Sequence, residues 1–85
     1  MISMAKKIVE KNILNIIQDA LNLKDKRITL QSSVHNVAEW DSLGHLSILS
    51  ALDKFFKGKV GKIREIAPAD SVKKIIRILK DNRLM

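Results

Sequence analysis

Asp41, Ser42 and His45 are the side chains whose types and spacing could do chemistry together, because they fall within one turn of any helix that begins at WDSLGH. An acid, a hydroxyl and an imidazole invite a hydrolase reading. A working triad, however, needs its base oriented by a buried acid and an oxyanion pocket facing a substrate cleft. Three neighbours on one exposed helix end supply neither, so no catalytic residue is assigned, and His45 is expected to be a half-exposed helix residue. His35 and His45 fare no better as metal ligands, since two histidines without cysteine or a matched acidic cluster fall short of a protein site. What remains is Ser42 as an exposed hydroxyl at a helix start. The first turn of a helix offers unpaired N–H groups and partial positive charge that favour an anion, and a terminal position keeps the hydroxyl exposed.

The elements that must position Ser42 follow from the apolar pattern. From Ala5 to about Leu23, the residues Ile8, Val9, Ile13, Ile16, Ile17, Ala20 and Leu21 recur at three- and four-residue steps, the period of one helix face. Between Asn22 and Asp41 the period is lost, and Ile28, Leu30, Val34 and Val37 read as anchors of a long ordered loop. Asp41 then caps a second helix, where its carboxylate accepts from the first-turn amides. In that helix Leu43, Leu46, Ile48, Leu49, Ala51, Leu52, Phe55 and Phe56 cover well over half the circumference, which predicts a central helix enclosed on several sides. Gly58 to Gly61 should end it, and Lys62 to Ala67 could form a short turn before Pro68. Asp70 or Ser71 caps a last helix with Val72, Ile75, Ile76 and Leu79 on one face. No repeat or strand-type alternation appears, so the expected fold is a small all-α bundle.

The stretch EWDSLGHLSILSALDKFF resembles the acyl carrier protein family at its Asp-Ser-Leu signature, the opening of the family's second helix. The similarity extends over about residues 5–82, through the first helix, the anchored loop and a closing segment, ADSVKKIIRIL. It implies a small four-helix bundle with a long first loop and a short third helix. It also implies that Ser42 receives 4′-phosphopantetheine from coenzyme A through a phosphopantetheinyl transferase, and that the arm's terminal thiol carries an acyl group as thioester. The chain would then be a carrier rather than an enzyme, with acyl-loading and acyl-consuming enzymes as its other partners. By the same resemblance, Asp41 helps to position the transferase's metal ion, and Leu43 is a docking contact. An acyl chain would shelter in a cleft lined by residues such as Leu46, Ile48, Leu49, Leu52 and Phe55. Read from the residues alone, a bare Asp-Ser-Leu is also how ordinary capped helices start, and each of those five side chains is equally at home in a small core.

Composition sets the outer bounds. Eighty-five residues, 46% hydrophobic, make one domain close to the lower size limit for a self-supporting core. The absence of cysteine fits a reducing compartment, with the cytoplasm as default. Charges interrupt the apolar positions of MISMAKKIVEKNILNIIQDAL, so neither a signal peptide nor stable membrane insertion is expected; the expected state is a monomer. The formal charge is +7, and all of the excess lies after Asp53. That opens an alternative, a basic C-terminal third binding nucleic acid or an anionic membrane by neutralising phosphates. No aromatic residue is interleaved with the last helix's charges as a stacking platform, so nucleic acid is not expected, and a solvated basic face explains the pattern better. The same charge departs from the resemblance, because many acyl carrier proteins present carboxylates along the second helix. Here Ser47 stands where acids are frequent, and Lys54 and Lys57 follow Asp53. A dedicated partner with an apolar or acidic face is expected, within a specialised fatty-acid, polyketide or glycolipid pathway. The usual Gly-Gly-His-Ser of peptidyl carriers differs from Trp40-Asp41-Ser42-Leu43-Gly44-His45.

Overall fold

A computed structural model describes residues 8–85. The regular structure is helical: α1 (Glu10–Ala20), α2 (Ser42–Phe55) and α3 (Val72–Asp81), with one 3-10 turn at Arg64–Ile66. Beyond an isolated bridge between Ser33 and Ser71 there is no β-structure among the described residues. Where four helices were expected, the described residues hold three α-helices, and the expected short third helix is a single 3-10 turn. Three residues flanked by glycines and Pro68 are too few to close a stable α-helical turn. The expected helix start at Ala5 lies outside the described residues.

α1 begins without a side-chain N-cap, since Val9 has no acceptor; instead the Asn12 side chain accepts from the Val9 amide at 2.9 Å. It ends where Asn22 takes the left-handed conformation, φ 54°, which asparagine tolerates better than most residues. Ile13, Ile17 and Leu21 form its buried stripe. α3 carries the expected apolar face: Val72, Ile75, Ile76 and Leu79 are buried, joined by Ile78. Ser71 is its N-cap, with its hydroxyl accepting from the Lys74 amide at 3.2 Å.

α2 differs from its expectation. Only Ile48 and Leu52 are buried within it, Leu49 and Ala51 are partly covered, and Leu43, Leu46 and Phe55 are 75%, 61% and 44% exposed. The helix is therefore packed on one side and open on the other, not enclosed on several sides. With α1 and α3 built from single stripes, the chain has too few large apolar faces to wrap a third helix completely. The helix ends before the expected Gly58, because Lys57 already adopts φ 58° and Gly58 follows at φ 85°. Asp53 ties that turn back to the helix by accepting from the Gly61 amide at 2.7 Å.

The long loop between α1 and α2 is ordered by two devices. Ile28 and Val37 are buried as expected, and Leu30 packs partly against the core, but Val34 is exposed rather than an anchor. At its start the Gln18 side chain donates to the carbonyls of Leu23 and Lys26, at 3.0 and 2.6 Å, and accepts from the Ile28 amide at 2.7 Å. In its middle, the loop lies against the start of α3: Val34 N–H donates to the Asp70 carbonyl and Val72 N–H to that of Ser32, each at 3.0 Å. Gln18 thus satisfies backbone groups that neither helix can reach, Ile28 among them. Replacing Gln18 by Ala leaves the amide of buried Ile28 unpaired, and urea unfolding should show a loss of about 1–3 kcal/mol.

Candidate functional site

Ser42 is the first residue of α2, and both it and Asp41 are solvent-exposed. Asp41 is the N-cap: Oδ1 accepts from Gly44 N–H at 2.8 Å, and its carbonyl accepts from His45 N–H at 2.8 Å. The amides of Ser42 and Leu43 have no hydrogen-bond partner among the described residues, which leaves two donors directed out of the helix start. Leu43 projects into solvent beside them.

Behind this end stands a feature absent from the expectations. Trp40 is 2% exposed, and its indole N–H donates to His45 Nδ1 at 3.0 Å. An indole can only donate, so Nδ1 must be unprotonated, and the proton of the neutral ring sits on Nε2. Nε2 lies 3.2 Å from the Ile66 carbonyl, which accepts it. His45 is accordingly half-buried and structural, bridging the loop to the 3-10 turn. With both nitrogens engaged it is not free to act as a base toward Ser42. Nor is it placed to bind a metal, and no cluster of three or more metal-ligating side chains occurs among the described residues.

Gly44 explains how α2 can begin so close to the loop. A Cβ built there would collide with the backbone carbonyl oxygen of Glu39 and press on Leu21 Cδ2 at 2.9 Å, and the backbone oxygen is the neighbour that cannot give way. Glu39 itself pairs with Lys26 at 3.3 Å. Backbone hydrogen bonding, followed by that lysine, holds its carboxyl below the ordinary value. Asp70, just before α3, is lowered first by its hydrogen bond to Lys74 and then by that lysine's charge. Any stability these two exposed carboxylates lend is present above their unfolded values and is lost as pH falls through the lowered ones.

Between the Ser42 end of α2, the loop and the approach to α3 lies an open cleft of about 550 Å³. Val34, Leu46, Ala67 and Pro68 give it apolar walls, with Trp40 and His45 among its other lining residues, and Ser42 and Asp41 stand at it directly. Of the five side chains expected to line an acyl cleft, only Leu46 borders this one. Ile48 and Leu52 are core, Leu49 packs against it, and Phe55 faces a separate groove with α1. Val34, an expected anchor, is instead a cleft wall.

The basic C-terminal third divides into two parts. On α3, Lys74 pairs with Asp70 at 3.0 Å and Lys80 with Glu10 at 3.3 Å. From the last turn of α2 to the start of the 3-10 turn, Lys54, Lys57, Lys59, Lys62 and Arg64 are exposed and have no ion-pair partner among the described residues. No helix is long and apolar enough to cross a membrane among the described residues. No protein-family model matches the chain, and neither characterised proteins nor solved structures yield a match.

Trp40 is the sole tryptophan, so its fluorescence reports on the bridge directly. In His45→Ala the buried indole N–H loses its acceptor. The expected outcome is a red-shifted emission, with stability reduced by about 1–3 kcal/mol. Gly44→Ala should also destabilise, by about 1–3 kcal/mol in chemical denaturation, because overpacking against backbone outweighs the better helix propensity of alanine.

Proposed function

We propose that this chain is an acyl carrier protein, a bundle of that family's type in which Ser42 bears a 4′-phosphopantetheine arm. The observation that carries the reading is the placement of Ser42: an exposed hydroxyl at the first position of a capped helix, between a protruding Leu43 and an apolar-walled cleft. The residues present suit such a group. The amides of Ser42 and Leu43 and the positive end of α2 favour a phosphodiester at this hydroxyl. When attached, the arm supplies a thiol that holds an acyl group as thioester.

Attachment would join Ser42 Oγ to the pantetheine-side phosphorus as the pyrophosphate bond of coenzyme A breaks, with adenosine 3′,5′-bisphosphate as the leaving group. The serine proton must leave to a base supplied by the transferase, because both nitrogens of His45 are already engaged. Asp41 holds the helix start through Oδ1, and as an exposed carboxylate it can also serve the transferase's metal ion. Val34, Leu46 and Pro68 offer apolar cover along the path of the arm. The chain itself performs no bond-making step, so its loading and unloading fall to partner enzymes.

Intact-mass measurement after co-expression with a broad-specificity phosphopantetheinyl transferase tests the reading. One added arm is expected on the wild type and none on Ser42→Ala. An unmodified wild type that binds DNA or anionic vesicles in a salt-sensitive manner would establish the basic-domain alternative instead. Asp41→Asn keeps a cap yet removes the carboxylate charge, so it should stay folded while being modified more slowly than the wild type.

A further inference from the structure

The bridge from Trp40 through His45 to Ile66 works in only one protonation state. The indole can only donate, so Nδ1 must bring the lone pair, and Nε2 must carry the proton that reaches the Ile66 carbonyl. A second proton on the ring can go only to Nδ1. There it meets the indole N–H, donor against donor, across the 3.0 Å that separates the two nitrogens. The bond to Ile66 survives that change and the bond to Trp40 does not. The fold also provides for the second state. Trp40 is nearly buried but lines the open cleft, as do His45, Asp41 and Asp70. A released indole N–H can therefore reach water through the cleft, and a charged imidazole has two carboxylates along it. The ring bonds neither of them in the closed state. The remaining charged groups on the surrounding segments are engaged or exposed: Glu39 pairs with Lys26 and Asp70 with Lys74, while His35 in the loop and Arg64 and Glu65 beside Ile66 are exposed.

We propose that this bridge is a pH switch, closed on a neutral His45 and open on a protonated one, so that mild acid releases the Trp40 wall of the cleft beside Ser42. The switch belongs to the fold and stands whether or not Ser42 bears an arm. Imidazole is the side chain whose ordinary range, between about pH 5 and 8, allows such a change under mild conditions. Carboxylates ordinarily titrate below that window, and Glu39 and Asp70 are held lower still, the first by backbone hydrogen bonding and the second by its bond to Lys74. The open state takes up one proton that the closed state excludes. The bridge is therefore whole above the imidazole range and is lost as pH falls through it. Opening frees the end of the loop from the first turns of α2. The helix start itself persists, because Gly44 N–H remains bonded to the Asp41 carboxylate.

The test follows the full chain, isotope-labelled in nitrogen, by NMR from about pH 8 to about pH 5. The single tryptophan gives a single indole N–H signal, and His35→Asn tells the two histidine rings apart. Expected is a shift of the indole signal, with a red-shifted emission, at the pH where the His45 ring gains its proton. The ratio of open to closed forms should rise by about tenfold per pH unit at its steepest, the limit for one proton. His35→Asn should keep the transition. His45→Gln offers one acceptor and one donor and does not titrate, so its indole signal should hold one position across the range. An indole signal that stays in place while His45 becomes protonated would overturn the proposal, and so would a His45 ring still neutral at about pH 5. A transition that disappears in His35→Asn, or persists undiminished in a folded His45→Gln, would also overturn it. Should His45→Gln fail to fold, the coincidence of indole and imidazole changes in the wild type decides alone.

Discussion

The site depends on how one buried indole N–H is satisfied. Trp40 is too large to leave out of so small a core, and its polar edge must find an acceptor once water is excluded. His45 supplies it from α2 and passes the connection to Ile66. That bridge holds three segments in register: the end of the long loop, the start of α2 and the 3-10 turn before α3. The cleft lies among those three segments, and Ser42 stands at its edge because the same helix turn carries His45. Gly44 completes the arrangement by letting α2 approach the Glu39 backbone.

Much of this was legible in the chain, and the remainder has definable reasons. The stripes Ile13–Ile17–Leu21 and Val72–Ile75–Ile76–Leu79 could be read because a helix face is a local property of spacing. Asp41 as N-cap was equally local. In α2 the apolar residues were expected to be enclosed, but hydropathy does not say how many of them one small chain can cover. Leu43, Leu46 and Phe55 show the difference. The Gln18 and His45 bonds escaped notice because their partners are set by tertiary geometry, 21 residues away in the case of Ile66. Gly44 did leave a signal. A glycine in the first turn of an otherwise apolar helix is unfavourable, and that cost points to a close approach.

The charge excess also looks different in three dimensions. The sequence places it broadly in the last third, with the final helix as its most conspicuous part. In the fold, two of that helix's lysines meet carboxylates, and the unpaired cations concentrate between Lys54 and Arg64. Surface pairs of this kind add little stability, so their importance lies in where they leave positive charge available. That region begins at Lys54 in the last turn of α2, at the end of the helix away from Ser42.

The account stands or falls on the state of Ser42 in the protein as its own cells make it. The direct measurement is fragmentation mass spectrometry of the peptide spanning Ser42 from the unlabelled, natively produced chain. The account predicts a phosphopantetheine group on Ser42, with or without an acyl thioester on its thiol. A bare serine at that position throughout the purified population would contradict it.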